Sequence, residues 1–280
     1  YPLRRQRQMC IRDRLITGAS RGIGYQTAEL LAQNGHKVYG AARRMDKLEK
    51  LKSVGVEPIY LDITNEESCR KLVDTIIDNE GQIDILINNA GYGSYGAIED
   101  VPLEEAKRQF EVNLFGLAAL TKLVLPHMRH QKAGRIINIS SMGGRFTTYF
   151  GAWYHATKYA LEAFSDALRM EVKPFGIDVS LIEPGGIKTN WGLIAADHLA
   201  ESAKGGTYEE AALKTATGMR KQYSGNMMSD PKIISKTISK AVSSKRMRAR
   251  YLIGFGAKPL VFLHTILPTR IFDWLIMRAS

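Results

Sequence analysis

The sequence predicts one doubly wound α/β domain, in which helices cover both faces of a parallel sheet. Short runs that are apolar along their whole length alternate with helical stretches over most of the 280 residues. Strands of this kind are typical of parallel sheets that are buried on both faces. The chain is 45% hydrophobic and 24% charged, as in soluble globular proteins. Its length suits one large domain with an appendage.

The first residues of the chain depart from this pattern. Residues 1–14 carry a net charge of +4 and run directly into Leu15-Ile16-Thr17. A fully buried first strand needs a longer apolar run than these three residues offer. We interpret residues 1–14 as an artefactual or disordered segment, with a genuine basic tail as the alternative. The domain is therefore expected to span residues 15–255.

A glycine-rich turn follows this first strand and leads into a helical pattern. Strand, glycine turn and helix in that order form the context that a dinucleotide-phosphate loop requires. Gly18 permits the tight turn, while Gly22 and Gly24 allow the backbone and the start of the helix to approach a pyrophosphate. The sequence therefore predicts a nucleotide-binding site at the end of the first strand.

The second predicted strand, residues 37–42, bears on the choice of cofactor. In sites that prefer NAD, an acidic side chain near this point binds the adenosine ribose. Here the position is Ala42, followed by Arg43, and Arg21 already lies in the glycine turn. Guanidinium groups bind phosphate in a bidentate manner and favour a 2′-phosphate, so we expect NADP(H). The alternative is that both arginines are ordinary surface charges.

The alternation of strands and helices continues along the chain. Further strands are predicted at residues 56–61, 83–87, 135–140, 177–182 and 250–255, and further helices at residues 66–79, 103–131, 153–172 and 231–244. Residues 188–230 lack a clean period, and we interpret them as an apolar lid over the cleft, with surface helices as the alternative.

A tyrosine and a lysine four residues apart lie on the helix predicted at residues 153–172. Tyr154 and Lys158 would project from the same face of that helix. Ser141 follows a buried strand, where it could face this pair. A phenol has a pKa near 10, and a neighbouring cation favours its ionised form. The sequence therefore predicts a proton-handling site, although many ordinary helices carry such a pair.

The C-terminal segment, residues 256–280, is predicted to be an apolar helical extension. Its longest uncharged run, residues 259–269, is about half of the roughly 20 residues that span a bilayer, so we expect no transmembrane helix. The segment could cap the cleft, pack on a partner subunit, or lie at a membrane interface with Lys258, Arg270 and Arg278. We rank packing on its own fold first.

The formal net charge of +11 does not indicate nucleic-acid binding. The basic clusters lack interleaved aromatic residues, and there is no zinc-finger or helix-turn-helix pattern. Cys10 and Cys69 form neither a metal-ligand spacing nor a disulfide framework, and no histidine cluster suits a metal. We expect a cytoplasmic protein without a metal.

Several of these motifs occur together in a fixed order: Thr17-Gly-x3-Gly-x-Gly24, Asn88-Asn-Ala-Gly91, Asn113, Ser141, Tyr154-x3-Lys158 and Pro184-Gly185…Thr189. This ordered set resembles the short-chain dehydrogenase/reductase family, over about residues 15–255. The resemblance implies a Rossmann domain and a homo-oligomer. The sequence also looks like the branch that contains 17β-hydroxysteroid and retinol dehydrogenases.

The resemblance also implies roles for individual residues. Tyr154 would be the general acid/base, and Lys158 would hold the nicotinamide ribose and lower the pKa of the tyrosine. Ser141 would hydrogen-bond the substrate oxygen, and Asn113 would anchor a proton-relay water. The cofactor-binding residues that it implies are Gly18, Ser20, Arg21, Gly22, Ile23, Gly24, Arg43, Asp62, Ile63, Asn89, Ala90, Gly91, Tyr154, Lys158, Pro184, Gly185, Ile187 and Thr189.

The main hypothesis is an NADP(H)-dependent oxidoreductase that interconverts a secondary alcohol and a ketone. Aromatic residues near the predicted site suggest a lipophilic, steroid- or retinoid-like substrate, although core packing is an equal alternative for them. They are Phe146, Tyr149, Phe150, Trp153 and Trp191. The competing hypothesis is a catalytically silent nucleotide-binding or membrane-surface scaffold with the same fold.

Overall fold

A computed structural model describes residues 13–279 of the chain. The strands are β1 (Arg14–Thr17), β2 (Val38–Ala42), β3 (Val56–Tyr60), β4 (Ile85–Asn88), β5 (Gly134–Ile139), β6 (Ile177–Pro184) and β7 (Arg250–Ile253). They form one sheet in the order β3-β2-β1-β4-β5-β6-β7, and all neighbours are parallel. The predicted doubly wound α/β fold is confirmed.

The helices that connect and cover these strands follow the predicted alternation. They are α1 (Gly22–Gln33), α2 (Met45–Leu48), α3 (Glu66–Glu80), α4 (Leu103–Phe110), α5 (Gly116–Gln131), α6 (Ala152–Val172), α7 (Trp191–Ser202), α8 (Glu209–Ser224), α9 (Lys232–Ser243), α10 (Ala257–Ile266) and α11 (Thr269–Ala279). None of the helices within residues 13–279 is long and apolar enough to cross a membrane.

The start of the sheet lies one residue before the expected domain boundary at Leu15. Arg14 opens β1 and is buried, so the last residue of the segment that we interpreted as artefactual or disordered belongs to the sheet. Residues 1–12 of that segment lie outside the described residues.

The core lies in two layers, one on each face of the sheet. Because successive side chains of a strand point to opposite faces, neighbouring residues of one strand enter different layers. Leu86 and Ile136, which pair across β4 and β5, belong to one layer. The next pair, Ile87 and Ile137, belongs to the other. This double burial explains why the central strands β1, β4 and β5 are mostly apolar.

The single helix predicted at residues 103–131 is wrong in detail. The structure interrupts it with a π-helical turn, Glu111–Phe115, between α4 and α5. Gly116 ends this turn where a Cβ atom would overlap the carbonyl oxygen of Ile63. The wider turn directs Asn113 inward, and such π turns are frequent at functional sites. An apolar period of 3.6 residues does not reveal one inserted residue.

Residues 188–230, where we predicted an aperiodic lid, contain the two helices α7 and α8. α7 and α8 pack through small side chains, including Ala195, Ala196 and Ala212, over Tyr95 and Phe150. The C-terminal extension forms α10 and α11, whose Val261 and Phe272 pack against Phe146. The chain therefore adds two helical pairs at the carboxyl edge of the sheet.

Candidate active site

The sheet reverses its winding between β1 and β4, and a large cavity lies at their carboxyl ends. Such a switch point is the usual ligand site of open α/β sheets. The cavity measures about 1090 Å³, which exceeds the usual size of a site for one small molecule. Eighteen of the twenty predicted site residues line it; Gly24 and Asn113 lie behind its wall.

The glycine turn after β1 forms one end of the cavity. Gly18 and Gly22 have φ values of +68° and +58°, a region that favours glycine. The first turn of α1 contains no acidic residue, and its N-cap residue makes no side-chain capping bond, so its N–H groups can bind an anion. This end of the cavity fits the pyrophosphate of a dinucleotide.

Gly24 has a packing role. A Cβ atom at Gly24 would lie 2.6 Å from the carbonyl oxygen of Gly18 and would overlap the amide nitrogen of Asn89. That amide nitrogen donates to the carbonyl oxygen of Thr17 at 3.0 Å, and the Thr17 hydroxyl accepts the N–H groups of Asn89 and Ala90, both at 3.0 Å. These bonds fasten the turn after β4 to the turn after β1.

Three arginines gather at the outer part of this end. Arg21, Arg43 and Arg44 all line the cavity here, and burial, followed by the charges of Arg44 and Arg43, lowers the pKa of Arg21. Arg44 also donates to the Ser20 hydroxyl at 3.0 Å. We did not predict Arg44 as a site residue, although its place directly after Arg43 was a usable signal.

Ser141, Tyr154 and Lys158 meet at the centre of the cavity. The Ser141 hydroxyl interacts with the Tyr154 hydroxyl and lowers its pKa. The Lys158 ammonium lies 6.0 Å from the centroid of the Tyr154 ring and donates to the carbonyl oxygen of Ile139 at 2.9 Å. The i, i+4 spacing on α6 thus places the phenol and the ammonium on one face, as the sequence predicts.

The pKa of Tyr154 does not follow the sequence expectation. Burial, followed by the neighbouring Tyr95 and Tyr223, raises this pKa above its usual value. Burial also lowers the pKa of Lys158 to about 8, against the influence of Glu162. The expected lowering of the tyrosine pKa by Lys158 is therefore not what the protein's side chains produce. They keep the phenol protonated, which suits a proton donor.

Asn113 connects three parts of the site from behind the wall. Its amide oxygen accepts the N–H of Tyr92 at 3.0 Å, and its amide nitrogen donates to the Tyr92 carbonyl and the Thr157 hydroxyl at 2.9 and 3.1 Å. A Cβ atom on Gly91 would lie 3.0 Å from the Asn113 oxygen and 4.0 Å from the Lys158 ammonium. The π turn thus holds the loop after β4 beside α6. The role of Asn113 in anchoring a water stays a prediction.

His155 has a structural role that the sequence did not reveal. Its Nε2 accepts the N–H of Thr148 at 3.1 Å, so Nδ1 carries the proton and donates to the Gly143 carbonyl at 2.8 Å. Burial lowers its pKa to about 4 and keeps the ring neutral. The neutral ring fixes the segment that follows Ser141. A single histidine in a sequence gives no signal of this role.

Aromatic side chains enclose the other end of the cavity. The Trp191 ring lies 4.9 Å from the Tyr154 ring, and Tyr95 lies 5.8 Å from it. Tyr223 from α8 follows at 6.4 Å from Trp191. Tyr95 was not among the predicted residues. Because Gly93 and Gly96 flank it, Tyr95 resembles an ordinary loop residue in the sequence.

A partly buried charge network lies beside Lys158. Arg250 of β7 contacts Glu162 of α6 and Glu183 of β6, each at 3.1 Å, and also pairs with Asp166. Burial, followed by the nearby charge of Glu183, raises the pKa of Glu162, against the influence of Arg250. Glu162 lies one helical turn beyond Lys158. Among residues 13–279, no group of three His, Cys, Asp or Glu side chains could hold a metal.

The fold and the site together define a nucleotide-binding oxidoreductase of the α/β class. Residues 14–195 match the family model of the short chain dehydrogenases, and the chain belongs to this short-chain dehydrogenase/reductase family.

Two similar relatives are a probable short-chain type dehydrogenase/reductase, VdlC, of Helicobacter pylori and the 3-ketodihydrosphingosine reductase of Bacteroides thetaiotaomicron. The first is 38% identical over 92% of this chain and 94% of the relative. The second is 39% identical over 79% of this chain and 75% of the relative. A solved serine dehydrogenase in complex with NADP+ has a TM-score of 0.75 and 25% identity, over 86% of this chain and 94% of that one.

Proposed function

We propose that the protein is an NADP(H)-dependent oxidoreductase that interconverts a lipophilic secondary alcohol and the corresponding ketone. The observation that carries this proposal is the buried Tyr154 hydroxyl, which lies between the Ser141 hydroxyl on one side and an aromatic wall on the other. A carbonyl oxygen at this position would have a proton donor and a hydrogen-bond donor within reach.

In the proposed reaction, the carbonyl group receives one hydride and one proton, and each transfer has an assigned donor. NADPH held at this site would supply the hydride for the carbonyl carbon, and the oxidised cofactor would take one up in the reverse direction. The Tyr154 hydroxyl gives its proton to the carbonyl oxygen, whose double bond to carbon becomes a single bond. Ser141 orients this oxygen, and Lys158 would bind the ribose of the cofactor. Asn113 keeps the loop after β4 against α6 while this occurs.

The preference for NADP(H) is supported by the arginines. Arg21, Arg43 and Arg44 gather beside the end of β2, and Ala42 occupies the place where an acidic residue would select NAD. The similar serine dehydrogenase was solved with NADP+. Three guanidinium groups suit the additional phosphate of this cofactor.

The lipophilic substrate is supported by the aromatic wall and by one relative. Tyr95, Trp191 and Tyr223 offer ring surfaces beside Tyr154. The Bacteroides relative is named as a 3-ketodihydrosphingosine reductase, and the substrate in this name is a long-chain ketone. We include such ketones, together with steroid and retinoid carbonyl compounds, in the proposed class.

A cofactor and ketone screen tests the proposal. NADPH and NADH are each incubated with ketones of rising chain length, and the loss of nicotinamide absorbance is followed. We expect oxidation of NADPH, lower KM values for longer ketones, and weak activity with NADH. Cofactor binding without turnover on any ketone would instead support the silent scaffold. Faster turnover of short, polar ketones would refute the lipophilic class alone.

A further inference from the structure

The outward surface of α10 and α11 is the feature that the proposed function does not use. Phe262, Ile266, Trp274 and Met277 have exposed fractions of 62%, 56%, 52% and 61%. Ile271 between them is also exposed. Single exposed apolar residues are ordinary, but a cluster of this density on one element usually marks a contact surface.

The inner surface of the same helices is already occupied. Val261 and Phe272 pack against Phe146, and Leu263 and Ile276 join this cluster. Packing on the protein's own fold is the role that we ranked first for this segment, and the inner face has that role. It leaves the opposite face of both helices free for a second contact.

Basic side chains accompany the apolar ones on this surface. Residues 257–279 contain Lys258, Arg270 and Arg278, all exposed, and one acidic residue, Asp273. The guanidinium of Arg278 lies 4.3 Å from the centre of the Trp274 ring. Tryptophan and arginine together favour the boundary between lipid headgroups and acyl chains. A contact with a second copy of this chain would instead oppose like charges.

We propose that the outward face of α10 and α11 docks on an anionic phospholipid bilayer. The helices lie in the plane of the interface, since neither can cross a membrane. Apolar side chains enter the acyl boundary, and Lys258, Arg270 and Arg278 contact the headgroups. Phe146 lies beneath this pair and also lines the cavity, so docking brings the cavity close to the lipid. This last consequence rests on the proposed function, whereas the docking itself does not.

Vesicle co-sedimentation of the full chain, without cofactor or substrate, tests the proposal. Vesicles of phosphatidylcholine alone are compared with vesicles that contain about one third phosphatidylglycerol, and binding to the anionic set should be about tenfold stronger. The double variant Phe262→Ser/Trp274→Ser should lose about tenfold in binding to the anionic vesicles. Met170→Ser, an equally exposed change on α6, is the matched control and should bind like the parent protein.

Further measurements show whether a loss of vesicle binding results from unfolding or from a change of oligomeric state. Circular dichroism and NADPH binding show whether the double variant is folded, and light scattering reports the oligomeric state. Equal binding of parent and double variant, or no binding of the folded parent to anionic vesicles, overturns the proposal. A parent dimer that the double variant dissociates, without vesicle binding, would assign the face to a second copy. Vesicle binding without ketone turnover would leave the docking intact and refute only the proposed function.

Discussion

The two ends of the cavity are built in different ways. At the nucleotide end, backbone meets backbone: a Cβ atom on Gly18 would lie 2.9 Å from the Cα of Ala90, and one on Gly24 would lie 2.6 Å from a carbonyl oxygen. At the substrate end, the wall consists of side chains, with ring centroids 4.9 to 6.4 Å apart. The first end tolerates little change, while the second can be altered without moving the chain.

This difference predicts that the KM for NADPH and the KM for the ketone can be changed independently. Variants of the nucleotide end should change the KM for NADPH and leave the KM for the ketone unchanged. Variants of the aromatic end should have the opposite effect. Tyr154 lies where the two ends meet, and it should affect turnover itself.

The largest expected effect comes from Tyr154→Phe. Loss of the proton donor should reduce kcat by about 10²- to 10⁴-fold, while both KM values stay near those of the parent protein. Steady-state rates and NADPH titration by fluorescence measure the two quantities. Tyr95→Phe removes a neighbouring hydroxyl and is the matched control, with less than about tenfold loss. Turnover by Tyr154→Phe near the parent rate would exclude Tyr154 from the mechanism.

The second effect concerns the glycine turn. Gly24→Ala places a methyl group against the Gly18 carbonyl and the Asn89 amide, so it should displace the turn and raise the KM for NADPH by about 100-fold. The KM for the ketone at saturating NADPH should not change. Gly206→Ala, where the nearest atom would lie 3.3 Å away, controls for the added methyl group. An unchanged NADPH affinity would show that the close approach does not position the cofactor.

The difference between local and tertiary contacts also explains how much of the fold and of the site the sequence could predict. Local patterns in the sequence reveal the glycine turn, the Tyr154–Lys158 pair and the turns that follow the strands. These features come together in one site because the carboxyl ends of parallel strands meet at one edge of the sheet. Eighteen of the predicted site residues therefore line the cavity. Arg44 could also have been predicted as a site residue, because it directly follows Arg43.

The remainder depends on contacts that no local pattern encodes. The π turn at Asn113 needs one extra residue between two regular helices, and helical periodicity continues on either side of it. His155 acts through Gly143 and Thr148, seven or more residues away. The raised pKa of Tyr154 results from burial first and then from the neighbouring Tyr95 and Tyr223, which come from distant segments. Burial and its electrostatic consequences are tertiary properties.

The third effect tests the choice of cofactor at the nucleotide end. Arg43→Ala/Arg44→Ala removes two of the three guanidinium groups and should raise the KM for NADPH about 30-fold, the effect of losing one charged hydrogen bond of roughly 1.5–3 kcal/mol while Arg21 still binds the phosphate. The KM for NADH should change little. Steady-state kinetics with both cofactors measures the ratio, and Lys47→Ala, on a nearby exposed helix, serves as control. Equal losses with NADH and NADPH would mean that these arginines do not read the 2′-phosphate.

The fourth effect lies at the aromatic end. Trp191→Ala removes the ring nearest Tyr154 and should raise the KM for a long-chain ketone about tenfold through lost apolar contact, while the KM for NADPH stays constant. A short ketone such as acetone should show a smaller change. Trp274→Ala, on the C-terminal helices, is the control. If Trp191→Ala alters NADPH affinity instead, the two ends of the cavity are not independent.

The smallest effect tests the network beside Lys158 through pH. Burial lowers the pKa of Lys158 to about 8, so its ammonium is present below that pH and is lost as the pH rises through it. The carboxylate of Glu162 supports the ammonium, and Glu162→Gln should therefore lower the pKa of Lys158 further. The alkaline decline of kcat/KM for NADPH should move to lower pH by about one unit. Asp166→Asn also removes a partner of Arg250, but it lies two turns from Lys158 and should leave the decline in place. If both variants shift the decline equally, the effect arises from loosening of Arg250 and not from the charge of Glu162.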